Sequence, residues 1–217
     1  VAEYTVNHKV THSQTLLPMI DEILTMTQTD KRSIDAIAVS GGPGSYTGLR
    51  IGSATAKGLG MALDIPLIHV PTLDAMAYNV YGYAGLVCPI MDARRSQVYT
   101  GIYEFSDGKF NILLENSAIT FDELMKKLDA LNTSGKKVMF IGDGIPVFKD
   151  RIDEHFKGTG YELAPASMNR QRAASVAVLG GIYYNEGKTE AASEHLPDYL
   201  RLSQAERELN EKRAANG

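Results

Sequence analysis

A glycine-rich loop contains the residues best suited to binding an anion. The sequence GGPGSYTG occupies residues 41–48, between an apolar segment typical of a buried strand and a Pro-free stretch typical of a helix. A strand–loop–helix turn directs backbone N–H groups and the positive end of the helix dipole at one point, which favours phosphate. The candidate anion- or nucleotide-binding residues are Gly42, Gly44, Ser45 and Thr47.

The glycine spacing matches neither common nucleotide-binding motif. A Walker loop needs Lys and Ser or Thr directly after its last glycine, and a dinucleotide fingerprint needs glycine at the position of Thr47. A tight turn in which Ser45 or Thr47 caps the following helix accounts for the glycines equally well. The residues leave both interpretations open.

Two further patterns contain residues that could bind a metal ion or a partner. His8 and His12 have the four-residue spacing of a helical metal site, but His8 precedes the expected cap at Thr11 or Ser13 and no acidic residue lies near, so we predict no metal here. Asp92, Arg94 and Arg95 form a turn between two apolar runs and are candidates for contact with RNA or a complex. The alternative is a surface ion pair that contributes about 0–1 kcal/mol.

The helix after the loop has a stripe of small residues. Gly48, Gly52, Ala56 and Gly60 recur every fourth residue and therefore share one face. Three glycines there cost about 3 kcal/mol of helix propensity relative to alanine. The stripe predicts close approach of another helix or of a sheet, either within the chain or in a partner.

The remaining elements alternate along the chain. Strands are predicted at 1–6, 34–40, 66–70, 86–91, 98–105, 112–119 and 137–141, and helices at 13–24, 72–79, 121–131 and 172–184. We divide the chain at Gly82–Gly85 into an N-terminal lobe (1–84) and a C-terminal lobe (85–217) whose last residues (203–217) form a charged tail. The chain starts without Met in a strand-like pattern, so we expect one or more preceding strands.

Composition favours a cytoplasmic protein that does not bind nucleic acid by itself. The 217 residues are 44% hydrophobic and 22% charged, with a formal net charge of −4, and nucleic-acid binding depends mainly on Lys and Arg density. The single cysteine, Cys88, excludes an intrachain disulfide and fits a reducing compartment. We find no apolar run of membrane-spanning length.

Several motifs together resemble the bacterial TsaB (YeaZ) family. They are His12-Ser13-Gln14 with Leu17-Pro18, the block GPGSYTGLRIG at 42–52, the turn DARR at 92–95 with Val98-Tyr99, and PDYLR at 197–201. The resemblance covers nearly the whole chain. It implies an α/β fold of the two-lobed actin/Hsp70/sugar-kinase type, with mixed sheets flanked by helices, and a role beside TsaD and TsaE in making threonylcarbamoyladenosine in tRNA.

The resemblance also implies a surface that contacts TsaD. In the family, the helix near His12 and the glycine-block helix pack against two helices of TsaD, and TsaB pairs with itself in a similar way. The implied contact residues are His12, Leu16, Leu17, Ile20, Gly48, Arg50, Ile51, Gly52, Thr55 and Ala56. The alternative is that both helices only cover the chain's own sheet.

The resemblance further implies that this chain is not an enzyme. The two metal-binding histidines of TsaD align with Thr72 and Met76, which cannot replace imidazoles, and no HExxH motif occurs. We therefore expect no catalytic residues, metal or cofactor, although nucleotide could bind at the complex interface. Expected partners are a TsaD-like paralogue, a TsaE-like ATPase, tRNA through the complex, and a second copy. Alternatives are a nucleotide-binding ATPase or kinase relative and, less favoured, a metalloprotease.

Overall fold

The computed structural model describes residues 2–6 and 12–200. The helices are α1 (His12–Met26), α2 (Tyr46–Leu63), α3 (Thr72–Tyr78), α4 (Phe121–Leu131), α5 (Ile145–His155) and α6 (Ala173–Asn185). The strands are β1 (Ile37–Gly42), β2 (Leu67–Pro71), β3 (Leu86–Asp92), β4 (Gln97–Ser106), β5 (Lys109–Thr120), β6 (Val138–Ile141) and β7 (Glu162–Leu163). Residues 2–6 of the predicted strand 1–6 are described, whereas the predicted tail 203–217 lies outside the described residues.

The larger sheet is mixed and has the strand order β5-β4-β3-β6-β7. β3 pairs antiparallel with β4 and parallel with β6, while β4 and β5 form a long antiparallel hairpin. Alternate residues of β3 enter two different cores: Cys88 and Ile90 pack with α4 and α5, whereas Val87 and Met91 pack with α3. An apolar run that is buried on both faces is typical of a central strand.

The smaller sheet consists of β1 and β2, which are parallel, and it is covered on both faces. Ile37, Val39 and Leu67 pack with Ala56 of α2. On the other face, Ile68 and Val70 pack with Leu179 of α6. Helix α6 and the segment after it therefore pack on the β1–β2 sheet, although the sequence analysis placed them in the C-terminal lobe.

A buried polar network joins α3 to the large sheet. The carboxylate of Asp74 accepts hydrogen bonds from the Tyr103 hydroxyl at 2.7 Å and from the Asn116 amide at 2.9 Å. Burial raises the pKa of Asp74, and these hydrogen bonds oppose the rise without cancelling it. Burial and the nearby Asp74 also raise the pKa of Tyr183, to about 12.

Two sequence predictions differ from the structure. Residues 2–6 form no strand, so that part of the predicted strand is wrong; Glu3 instead accepts a hydrogen bond from Ala174 N at 3.1 Å and pairs with Arg172 at the start of α6. Helix α5 was not predicted, because the Gly-Asp-Gly sequence at 142–144 suggests only a turn after the strand. Proline is well tolerated in the first turn of a helix, where its missing N–H has no intrahelical acceptor.

Within residues 2–6 and 12–200, no helix is both long and apolar enough to cross a lipid bilayer.

We expect Asp74→Asn to change how stability depends on pH. Because the folded-state pKa of Asp74 lies above its ordinary value of 3.8, the stability that this carboxyl contributes is present at low pH and is lost as pH rises through the raised pKa. The neutral amide lacks this loss, so the free energy of unfolding of the variant should rise relative to wild type as the pH increases above about 4. Urea unfolding at several pH values measures this, with exposed Asp150→Asn as the control. Parallel pH curves for Asp74→Asn and wild type would contradict it.

Candidate functional site

The glycine loop joins β1 directly to α2. Gly42 ends the strand with a φ of 128°, a conformation that side chains rarely adopt. Ser45 is the N-cap of α2, and its hydroxyl accepts a hydrogen bond from Gly48 N at 3.4 Å. Thr47 is exposed in the first turn. Ser45 therefore has the capping role that the sequence left open between it and Thr47.

The chain's own C-terminal segment lies across this loop. Asp198 N donates a hydrogen bond to Gly41 O at 2.7 Å, and a Cβ on Gly42 would lie 2.4 Å from Asp198 O. The Tyr199 ring packs on the Tyr46 ring with centroids 5.1 Å apart. The close approach at Gly42 thus serves intramolecular packing, while anion binding at Gly42, Gly44, Ser45 and Thr47 stays a prediction.

The small-residue stripe of α2 divides into two halves. In the C-terminal half, a Cβ on Gly60 would lie 2.8 Å from Ala192 Cβ and 3.0 Å from Leu67 Cδ2. Ala56 is only 5% exposed and packs in the same cluster. Ala56 faces the chain's own sheet, so its assignment to the contact surface is corrected. In the N-terminal half, a Cβ on Gly52 would meet no atom of the described residues within 4 Å, and one on Gly48 would meet only the side chain of Ser45 among them.

Helix α1 packs on α2 but buries none of its own residues. Leu16 and Ile20 are half-buried, and Leu17 is 51% exposed. The predicted alternative, in which α1 covers the chain's sheet, requires buried residues on this helix. The apolar side of α1 is therefore only partly covered by the described chain.

A cavity of about 340 Å³ lies between α1, the N-terminal half of α2 and residues 4–6. Its lining includes five of the predicted contact residues: His12, Leu16, Gly48, Ile51 and Gly52. Of the others, Leu17 and Arg50 are exposed, Ile20 and Thr55 are half-buried, and the Arg50 guanidinium lies 4.6 Å from the centre of the Tyr46 ring. The structure thus brings five of the ten predicted contact residues together around one groove.

The turn at residues 92–96 has unusual backbone geometry. Asp92 Oδ1 accepts a hydrogen bond from Arg94 N at 2.8 Å, and Asp92 Oδ2 lies 3.1 Å from Arg94 Nη1. Arg94, Arg95 and Ser96 have φ values of 64°, 54° and 58°. Non-glycine residues in this region carry a conformational cost of about 1–3 kcal/mol each and cluster at functional sites. The Arg94 side chain is 86% exposed, and none of these residues lines the groove beside α1.

The positions aligned with the TsaD histidines have structural contacts. Thr72 Oγ1 lies 2.7 Å from Ser40 Oγ, and Met76 is fully buried in the core beneath α3. A different cluster, which the sequence analysis missed, is formed by His69, Glu190 and His195. These residues come from β2 and from the segment after α6, and their separation along the chain leaves no local motif that would reveal them.

Comparison with known proteins identifies relatives over nearly the full chain. The family model described as "TsaD: tRNA N6-adenosine threonylcarbamoyltransferase" matches residues 6–209. The chain is 35% identical over 208 residues to the tRNA threonylcarbamoyladenosine biosynthesis protein TsaB of Bacillus subtilis (strain 168), covering 95% of this chain and 86% of that protein. It is 32% identical over 201 residues to TsaB of Escherichia coli (strain K12), covering 91% and 84%.

Solved structures agree with the sequence relatives. YeaZ from Pseudomonas aeruginosa superposes with a TM-score of 0.73 at 27% identity, covering 88% of this chain and 86% of that one. A second Pseudomonas aeruginosa structure, an uncharacterized protein with similarity to peptidase YEAZ, gives a TM-score of 0.74 at 27% identity, covering 88% and 85%. These neighbours and the mixed, helix-flanked sheet confirm the predicted actin/Hsp70/sugar-kinase type of α/β fold.

We expect opposite effects from adding one methyl group at two glycines of α2. Gly52→Ala should raise the free energy of unfolding by about 0.5–1 kcal/mol, because it gains helix propensity and its Cβ meets open space. Gly60→Ala should lower it by about 1–3 kcal/mol, because its Cβ overpacks against Ala192 and Leu67. Urea unfolding of the two variants tests this, and effects of the same sign would contradict the division of the stripe.

Proposed function

This chain belongs to the TsaB family of tRNA threonylcarbamoyladenosine biosynthesis proteins, and we propose that it acts there as a non-catalytic subunit that binds and stabilises a TsaD-type paralogue. The contact surface is the exposed apolar side of α1 together with the N-terminal half of α2. In this proposal the complex forms in the cytoplasm, helps to recruit a TsaE-type ATPase, and meets tRNA as an assembly.

The observation that carries the proposal is the incomplete burial of α1. An amphipathic helix gains most of its stability by packing its apolar side against another element. Helix α1 carries Leu16, Leu17, Ile20, Ile23 and Leu24, yet none of its residues is buried. A partner helix packed along α1 would remove this apolar surface from water, at about 25 cal/mol for each Å² buried.

The bare backbone at Gly48 and Gly52 supports the same surface. Both positions face the groove beside α1, and the described chain leaves the Cβ position of Gly52 open. A helix without side chains on one face allows a second helix axis to approach nearer than the usual separation of about 8–10 Å. Such an approach offsets the helix propensity lost at these glycines, as Leu67 and Ala192 do for Gly60. A second copy of the chain would use the same groove when the paralogue is absent.

The exposed turn at residues 92–96 is proposed as a contact with tRNA or another subunit of the assembly. Arg94 and Arg95 present positive charge on a chain with a formal net charge of −4. The left-handed conformation of three successive residues holds the turn in one shape, with Asp92 bound to both the backbone and the side chain of Arg94. A fixed positive tip is suited to a phosphate or a carboxylate.

We expect Gly52→Leu to block binding of the TsaD-type paralogue while the chain stays folded. The new side chain enters the groove where the partner helix must approach, so affinity should fall about tenfold or more. Calorimetric titration with the purified paralogue measures this, and circular dichroism checks the fold.

The matched control for this experiment is Gly58→Leu. Within the part of the chain that the structure describes, a Cβ on Gly58 also meets nothing within 4 Å, but six residues along the helix place it about 240° around the axis, on another face. This variant should bind normally. Equal binding by Gly52→Leu and wild type would contradict the proposed surface, and micromolar ATP binding by the chain alone would favour a nucleotide-binding enzyme instead.

We expect Arg94→Glu to impair tRNA modification without weakening paralogue binding. Loss of a charge-assisted contact of about 1.5–3 kcal/mol should lower modification about tenfold or more in an assay reconstituted with the TsaD- and TsaE-type partners. Arg151→Glu is the control, because Arg151 is also an arginine paired with an aspartate, Asp122, and its side chain is 40% exposed. Normal modification by Arg94→Glu would leave the turn without this role.

A further inference from the structure

We propose that His69, Glu190 and His195 form a zinc-binding site that fastens the segment after α6 to β2. The ligand atoms of these three residues all lie within 4.8 Å of one another. Tetrahedral zinc with bonds of about 2.0–2.1 Å places its ligand atoms about 3.3–3.5 Å apart, so side-chain movements of about 1 Å complete the site. Two imidazoles and one carboxylate are donors that suit zinc better than magnesium or calcium.

The strongest sign of a missing ligand is the unpaired nitrogen of His195. The side chain of His195 has no exposed surface, its Nδ1 lies 2.5 Å from Glu190 Oε1, and its Nε2 has no hydrogen-bond partner within the described chain. A buried polar atom without a partner costs about 1–3 kcal/mol. A metal ion bound through Nε2 would remove that cost, and the contact from Nδ1 to Glu190 would orient the ring.

Hydrogen bonds and a contact between the two imidazole rings hold the three ligands in place before any metal binds. Glu190 exchanges two backbone hydrogen bonds of 3.0 Å with Leu67, which places its side chain beside β2. Lys57 Nζ donates to His195 O at 3.1 Å. The imidazole rings of His69 and His195 have their centroids 5.7 Å apart.

Gly41 makes room for the imidazole of His69. A Cβ at this position would lie 1.9 Å from His69 Cε1, so no other residue fits beside the ring. Position 41 therefore requires glycine because the His69 ring lies against it. Position 42 requires glycine for a different reason, the approach of the Asp198 backbone. Sites that bind metal well commonly have ligands positioned by such surrounding contacts.

Asp198 and a neighbouring cavity complete the environment. Asp198 Oδ2 lies 3.1 Å from His69 Nε2, so a second carboxylate is available to offset the charge of a divalent ion or to orient the imidazole. A cavity of about 390 Å³ is lined in part by His69 and Glu190 and opens a path for the ion. Zinc there would tie β2 to the segment that crosses the glycine loop, and this role is independent of paralogue binding.

Zinc titration of the full chain, treated with chelator and without any partner, tests the site. We expect one zinc ion per chain by equilibrium dialysis and a melting temperature that rises with zinc concentration. His69→Gln and His195→Gln should each weaken zinc affinity at least about tenfold. Cobalt(II) added in place of zinc should give the visible absorption of tetrahedral coordination, which both variants should lose.

His155→Gln is the matched control. His155 Nε2 also lies 3.0 Å from a carboxylate, that of Asp129, but His155 belongs to no cluster of three possible ligands among the described residues. This variant should bind zinc as wild type does. If His195→Gln fails to fold, His69→Gln decides, since the His69 side chain is 25% exposed and better tolerates change. Absence of stoichiometric zinc, or unchanged affinity in His69→Gln, would overturn the proposal.

Discussion

The packing of this protein depends on close backbone approach to the two-stranded sheet of β1 and β2. Two strands alone bury too little surface to be stable. Helix α2 covers one face through Ala56 and Gly60, and α6 covers the other through Gly180, where a Cβ would lie 2.5 Å from Ala38 Cβ. At the strand end, Gly41 and Gly42 admit His69 and the Asp198 backbone. A larger side chain at any of these glycines would separate layers that the sheet needs.

The need for close backbone approach distinguishes the helix surfaces that pack on the small sheet from those that the described chain leaves uncovered. The helices that cover the small sheet bury specific residues in it, whereas α1 lies outside that arrangement and buries none. The groove beside α1 is consequently a surface that the described chain forms but does not fill. A partner that supplies a helix there completes the layer in the same way that α2 and α6 complete theirs.

Sequence analysis succeeded where the determining interactions are local. Helix α4 was predicted at its observed bounds from its amphipathic pattern, and the structure shows that a capping box of Thr120 and Glu123 fixes its start. The small-residue stripe predicted close packing but not which glycines pack within the chain. Gly52 and Gly60 are the same residue type and differ only in the atoms that the fold places against them. His69 and His195 were missed because the fold joins positions from β2 and from the segment after α6.

The glycine-rich region therefore serves packing within the chain, which the sequence alone does not distinguish from phosphate binding. Gly41 makes room for the His69 ring and Gly42 for the Asp198 backbone, and the Asp198 carboxylate lies 3.1 Å from His69 Nε2. The segment that crosses the loop thus packs on the end of β1, whereas α1 is only partly covered by the described chain.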